Sequence, residues 1–146
     1  MDRPIQWNDS FSVGHGLIDQ QHRTLIQLIN DVAVAIPNNG TRTAPILKAL
    51  GRAVREHFRS ENAILWAIRM DTHDGVKRSP KARSLVAAMA GTVFDAHIVE
   101  HGRLLDHFDE IIGEPLDELA EKLRAWFVDH AIKQDSHLKT IFQAML

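Results

Sequence analysis

The segment LKALGRAVREHFRSENAILWAI, residues 47–68, places Leu47, Leu50, Val54, His57, Glu61, Ile64 and Ile68 on one stripe. Their steps alternate three and four, the spacing of a helix face that packs into a bundle. Five members of the stripe are apolar, but His57 and Glu61 are ionisable. An ionisable group is costly to bury unless it is paired or bound to a metal. The segment therefore predicts a bundle helix with a chemical task on its inward face.

The flanking sequence repeats the pattern. A first helix is expected from about Leu17 to Ala35, with the stripe Ile18, His22, Leu25, Ile29, Val32 and Ile36. Pro37-Asn38-Asn39-Gly40 ends it. The second helix starts near Ala44, with Thr43 as N-cap and Pro45 in its first turn. After the polar stretch from Asp71 to Ser79, Ser79-Pro80 restarts a helical pattern that continues to Ile112 and stops at Gly113. Its stripe includes Ala90, Phe94, His97, His101, Leu104, Phe108 and Ile111, and Gly91 is expected to break it in two. A last helix starts near Glu114-Pro115 with Leu116, Leu119, Leu123, Trp126 and His130. There the register slips by one residue, resuming as Asp135, Leu138, Phe142 and Met145. On a regular helix, residues five apart point about 140° away from each other. A π-bulge, or a break after His130, would bring both side chains inward. Residues 1–16 read as an irregular arm that Trp7 and Phe11 tuck against the body. The fold expected is all-α: an up-down-up-down four-helix bundle, residues 1–146 as a single domain, with an N-terminal arm and an insertion before or extending the third helix.

Composition narrows the chemistry. The chain has 146 residues, 25% of them charged, with a formal net charge of −2. That balance predicts no nucleic-acid or membrane-surface partner. With no Cys and no Tyr, thiolate ligation, disulfides and phenolic proton donors are excluded. No apolar run suggests a membrane span, and MDRPIQWNDS does not read as a signal peptide, so a cytoplasmic location is expected.

His22, His57, Glu61, His97, His101, His130 and Asp135 all occupy inward seams, where accidental histidines would scatter around the helices. His15, His73, His107 and His137 lie in the arm, in the linker or beside their seams and are read as non-ligands. Seven ligands exceed what one ion takes, but they suit two ions bridged by carboxylates, and mixed imidazole–carboxylate donors are typical of non-haem iron. Counting positions around two octahedral ions that share an oxygen leaves one open, a place for a small ligand such as O₂. The chain has no Glu-x-x-His pair of the ferritin-like di-iron type; Asp19-Gln20-Gln21-His22 is the nearest approach.

These residues resemble the hemerythrin family, in particular its single-domain bacterial members. The resemblance rests on Trp7, Val13-Gly14, Ile18-Asp19-Gln20-Gln21-His22, His57-Phe58-Arg59-Ser60-Glu61, His97-Ile98-Val99-Glu100-His101, Trp126-Phe127-Val128-Asp129-His130 and Asp135. It implies two non-haem Fe ions with a bridging oxo or hydroxo group, binding O₂ reversibly without enzymatic turnover. His97, His101 and His130 would hold one iron. His22 and His57 would hold the other, which keeps the open position, and Glu61 and Asp135 would bridge. Redox enzymes acting on peroxide or nitric oxide, and sensors that signal through a partner, are the competing expectations. The chain departs from the family pattern in a longer stretch between Glu61 and His97, in Phe127 where Leu is usual, and in Ala131 where Ile is usual. Phe58, Phe127 and Leu25 are the expected pocket-lining residues.

Overall fold

Each stripe becomes a helix in the computed structural model, which describes residues 4–38, 40–71 and 80–144. Helix α1 spans Gly16–Asn38, α2 Thr43–Asp71, α3 Pro80–Ile111, α4 Leu116–Val128 and α5 Ser136–Ala144. A π-helical turn, Asp129–Gln134, joins α4 to α5, so the last two helices form one rod. α1 packs on α2, α2 on α3, and the α4–α5 rod closes the bundle between α3 and α1. Among the described residues there is no strand, and no helix is long and apolar enough to cross a membrane.

The register slip is resolved by the π turn. The Asp135 N–H donates to the His130 carbonyl at 3.1 Å, a bond five residues apart that a regular α-helix lacks. The wider turn absorbs one residue, and both His130 and Asp135 face inward, fully buried.

The core divides into two apolar clusters. The larger contains Leu25, Ile29, Leu50, Val54, Phe58, Leu104, Phe108, Leu123, Trp126 and Phe127, among others. The smaller contains Val13, Ile18, Leu65, Ile68, Leu138, Ile141 and Phe142. The buried ionisable residues fall where the two clusters meet, with Phe58 and Ala131 of the larger cluster interleaved among them. A polar layer thus sits between two dry ends.

Several local expectations are corrected. Thr43 is the first residue of α2 and follows a 3₁₀ turn, Gly40–Arg42; its buried hydroxyl has no hydrogen-bond partner, so it is not an N-cap. α3 passes through Gly91 unbroken. One glycine weakens a helix by only about 1 kcal/mol relative to Ala, too little to stop one held by packing at its C-terminal half. Leu65 is fully buried where the stripe had Ile64, Ile141 is fully buried beside the expected Phe142, and Leu116 is exposed. α1 runs on past Ala35 to Asn38, with Pro37 in its last turn. The extra stretch after Glu61 extends α2 to Asp71 and starts α3 at Pro80; the part of that expectation falling on 72–79, with His73 and Ser79, lies outside the described residues, as does Met145.

The arm is tied down as expected. Phe11 is buried and Trp7 half-buried, with the Arg23 guanidinium 4.3 Å from the Trp7 ring centre. The Asn30 side chain accepts from the Ile5 N–H and donates to the Ile5 carbonyl, both at 2.9 Å.

Phe108, 1% exposed, joins the α2–α3 seam to Trp126, its ring centre 5.4 Å from that indole. Phe108→Ala should lower unfolding free energy by about 3–5 kcal/mol. Chemical denaturation followed by circular dichroism measures this; a loss below about 1 kcal/mol would contradict the assigned core.

Candidate metal centre

The seven inward-facing residues converge. None is more than 3% exposed. Donor atoms of His22, His57, Glu61, His130 and Asp135 all lie within 4.8 Å of one another, as do those of Glu61, His97 and His101. Helical geometry explains the pairs on each rod. His57 with Glu61, and His97 with His101, stand one turn apart on one face, while the π turn does the same for His130 and Asp135.

Glu61 belongs to both groups. Its Oε1 lies 2.6 Å from His57 Nε2, and its Oε2 lies 2.9 Å from His101 Nε2 and 3.4 Å from His97 Nδ1. Asp135 Oδ2 lies 2.7 Å from His22 Nε2 and 3.1 Å from His130 Nε2. The resemblance groups His130 with His97 and His101, whereas its Nε2 here is 3.0 Å from His57 Nε2. Asp135 therefore spans His22 and His130, as Glu61 spans His57 and His101.

Two imidazoles are braced from behind. His22 Nδ1 meets the Phe11 carbonyl at 2.7 Å, so the arm orients the ring. His57 Nδ1 meets Gln21 Oε1 at 3.0 Å, and the Gln21 amide in turn donates to Ser60 Oγ at 2.9 Å. Sequence reasoning identified neither partner. Gln21 sits beside the stripe, where a polar residue reads as solvated, and a backbone carbonyl leaves no residue signature. The outer nitrogens of His97, His101 and His130 are buried without a hydrogen-bond partner.

Aromatic rings wall the layer. Phe58 stacks on His101 at 4.2 Å with planes 9° apart, and Phe127 meets His22 edge-on at 5.8 Å. Trp126 lies nearly parallel to His130 at 6.3 Å. Leu25 is fully buried in the larger cluster. The histidines read as non-ligands stay apart from the cluster where described: His15 is half-buried with its ring 5.1 Å from Phe142, and His107 and His137 are exposed.

The donor chemistry suits a cation. A neutral imidazole has one N–H, yet His22 presents one nitrogen to a carbonyl and the other to a carboxylate, both of which only accept. A second proton or a metal ion must stand on the carboxylate side. Burial alone would push His130 down, but the Asp135 and Glu61 carboxylates outweigh it and raise the ring to about 10. His57 is likewise raised, burial being overcome by Glu61 and Asp135. Burial favours neutral forms of both acids, yet the His57 and His130 charges hold Glu61 well below the usual range. Asp135 is lowered too, although burial and Glu61 oppose it, because His130 and His22 lie against it. Burial lowers His101, with Glu61 only partly offsetting it. Imidazole and carboxylate oxygen together suit iron or zinc, and two groups sharing a carboxylate suit a dinuclear site.

A metal ligand must be deprotonated, so loading should expel the proton that the raised His130 ring holds at neutral pH. Titration calorimetry with ferrous iron at pH 7, in buffers of different ionisation enthalpy, should show release of at least about one proton per chain. Zero release would contradict the charged ring at His130.

No curated protein and no solved structure matches the chain. The family model described as the hemerythrin HHE cation binding domain matches residues 13–142, a span that holds all seven converging residues. The chain belongs to the hemerythrin family.

Proposed function

We propose that the domain holds two non-haem iron ions and binds O₂ reversibly. The observation that carries this reading is the meeting of five imidazoles and two carboxylates in one dry layer, all nearly or wholly inaccessible to solvent. In this reading His97, His101 and His130 hold one ion, His22 and His57 the other, and Glu61 and Asp135 bridge. Glu61 supports a bridging role, since it lies within 3.1 Å of His57 and of His101, and Asp135 lies as close to His22 and to His130, a ring that also stands 3.0 Å from His57.

When bound, the iron pair supplies the electrons and the open position that reversible O₂ binding requires. The chain's own residues do the rest. Glu61 and Asp135 balance the ions' charge with only two formal negative charges, so the shell is largely neutral. Such a shell favours reversible binding over the high-valent chemistry of carboxylate-rich centres. Phe58, Phe127 and Trp126 exclude water from the imidazoles they touch. His107 and His15, which could serve a turnover enzyme as proton donors, are directed to solvent and to Phe142 respectively.

Purified protein loaded anaerobically with ferrous iron should contain two irons per chain and gain a visible absorption band on admitting O₂. The band should vanish when O₂ is removed. Immediate irreversible oxidation would contradict the binding function and favour a redox enzyme. Phe127→Leu should oxidise irreversibly several-fold faster, because the ring seals the His22 side; equal rates followed by absorbance would contradict that role.

A further inference from the structure

The polypeptide that covers His22 is fixed by one side chain outside the donor set. Asp19 stands on α1 one turn before His22. Its Oδ2 accepts from the Ser12 hydroxyl at 2.7 Å, and its Oδ1 accepts from the Val13 N–H at 2.8 Å. Ser12 Oγ in turn accepts from the Gly14 N–H at 3.2 Å. Gly14 has φ +75°, a left-handed conformation that glycine takes without strain. The arm therefore turns sharply at Gly14 before entering α1, and Asp19 holds the residues before the turn. The next residue back is Phe11, whose carbonyl accepts from His22 Nδ1–H at 2.7 Å and whose ring packs on Phe127 at 5.5 Å.

We infer that Asp19 is a positioning residue for His22, acting through residues 11–14 of the arm. By pinning Ser12 and Val13 it aims the Phe11 carbonyl at His22 Nδ1, which fixes the proton on that nitrogen and leaves the Nε2 lone pair directed at the donor cluster. The inference rests on the proposed role of His22 as a metal ligand. The physical basis is general: the group behind a ligating imidazole sets its tautomer and orientation, and its loss weakens metal binding by one to two orders of magnitude. Here the orienting group is a backbone carbonyl, which no substitution of Phe11 removes. Control of its position passes to the side chain that holds the backbone.

The test compares iron-loaded wild type with Asp19→Ala, Asp19→Asn and Ser12→Ala. A ferrous chelator is added and iron release timed, with thermal unfolding measured alongside. Asp19→Ala should release iron roughly tenfold faster. Asp19→Asn keeps an acceptor for the Val13 N–H and a donor for Ser12 Oγ, so it should stay close to wild type. Ser12→Ala should fall between. In the zinc-loaded proteins, the His22 Nδ1–H proton resonance should exchange with water faster in Asp19→Ala. A folded Asp19→Ala with wild-type iron release and an unchanged His22 resonance overturns the inference, even if its melting temperature falls. Should Asp19→Ala not fold, Ser12→Ala decides: accelerated release supports the inference and wild-type release overturns it. Wild-type protein that takes up no iron overturns the proposed function and this inference with it, a result distinct from equal release by wild type and variants.

Discussion

Five imidazoles and two carboxylates lie in a layer sealed above and below by apolar side chains, and that burial constrains everything else in the molecule. A lone charge there would be expelled or neutralised. A layer in which each carboxylate faces imidazoles from two rods can hold together, and it holds best around cations. The helices must therefore meet in one register. A slip of a single position on any seam would carry a donor out of the layer and leave its partners buried and unpaired. The two hydrophobic clusters give the bundle its cohesion, while the polar layer specifies its alignment.

The π turn follows from the same constraint. A regular helix through residues 129–134 would turn Asp135 away from His130, and the layer would lose the carboxylate that spans His22 and His130. The one-residue slip in the apolar pattern of the last helix made this legible: apolar residues resume in phase only if the chain absorbs an extra residue, and a wide turn does so without ending the helix. The seams of the first three helices were legible for a simpler reason, since a three-and-four spacing interrupted by histidines has few other meanings.

Other features left weaker traces. Ile64 and Leu65 are adjacent and both aliphatic, so periodicity chose the wrong one; Leu65 joins the cluster of Val13, Ile18, Leu138 and Ile141, and Ile64 packs only against its edge. Thr43 carries the residue type of an N-cap, but a preceding 3₁₀ turn had already begun the helix. Gly91 has a poor helix propensity that the continuous α3 overrides. The braces behind His22 and His57 were hardest to see. One is a backbone carbonyl delivered by an irregular arm, and the other an amide adjacent to a ligand candidate. Neither has a periodic signature, because each depends on how separate segments meet in three dimensions.

The arm joins stability to chemistry. It is anchored by Asn30, Arg23 and Asp19 along α1, and its Phe11 contributes a ring to the wall and a carbonyl to the layer. A segment of irregular backbone thus acts as part of the donor set's scaffold. The central claim is that the seven converging side chains exist to hold two ions. Anomalous diffraction at the iron edge from crystals of the iron-loaded protein tests it most directly. The account predicts two anomalous peaks within the layer, with Glu61 and Asp135 each touching both. A single peak, or peaks away from these residues, would contradict it.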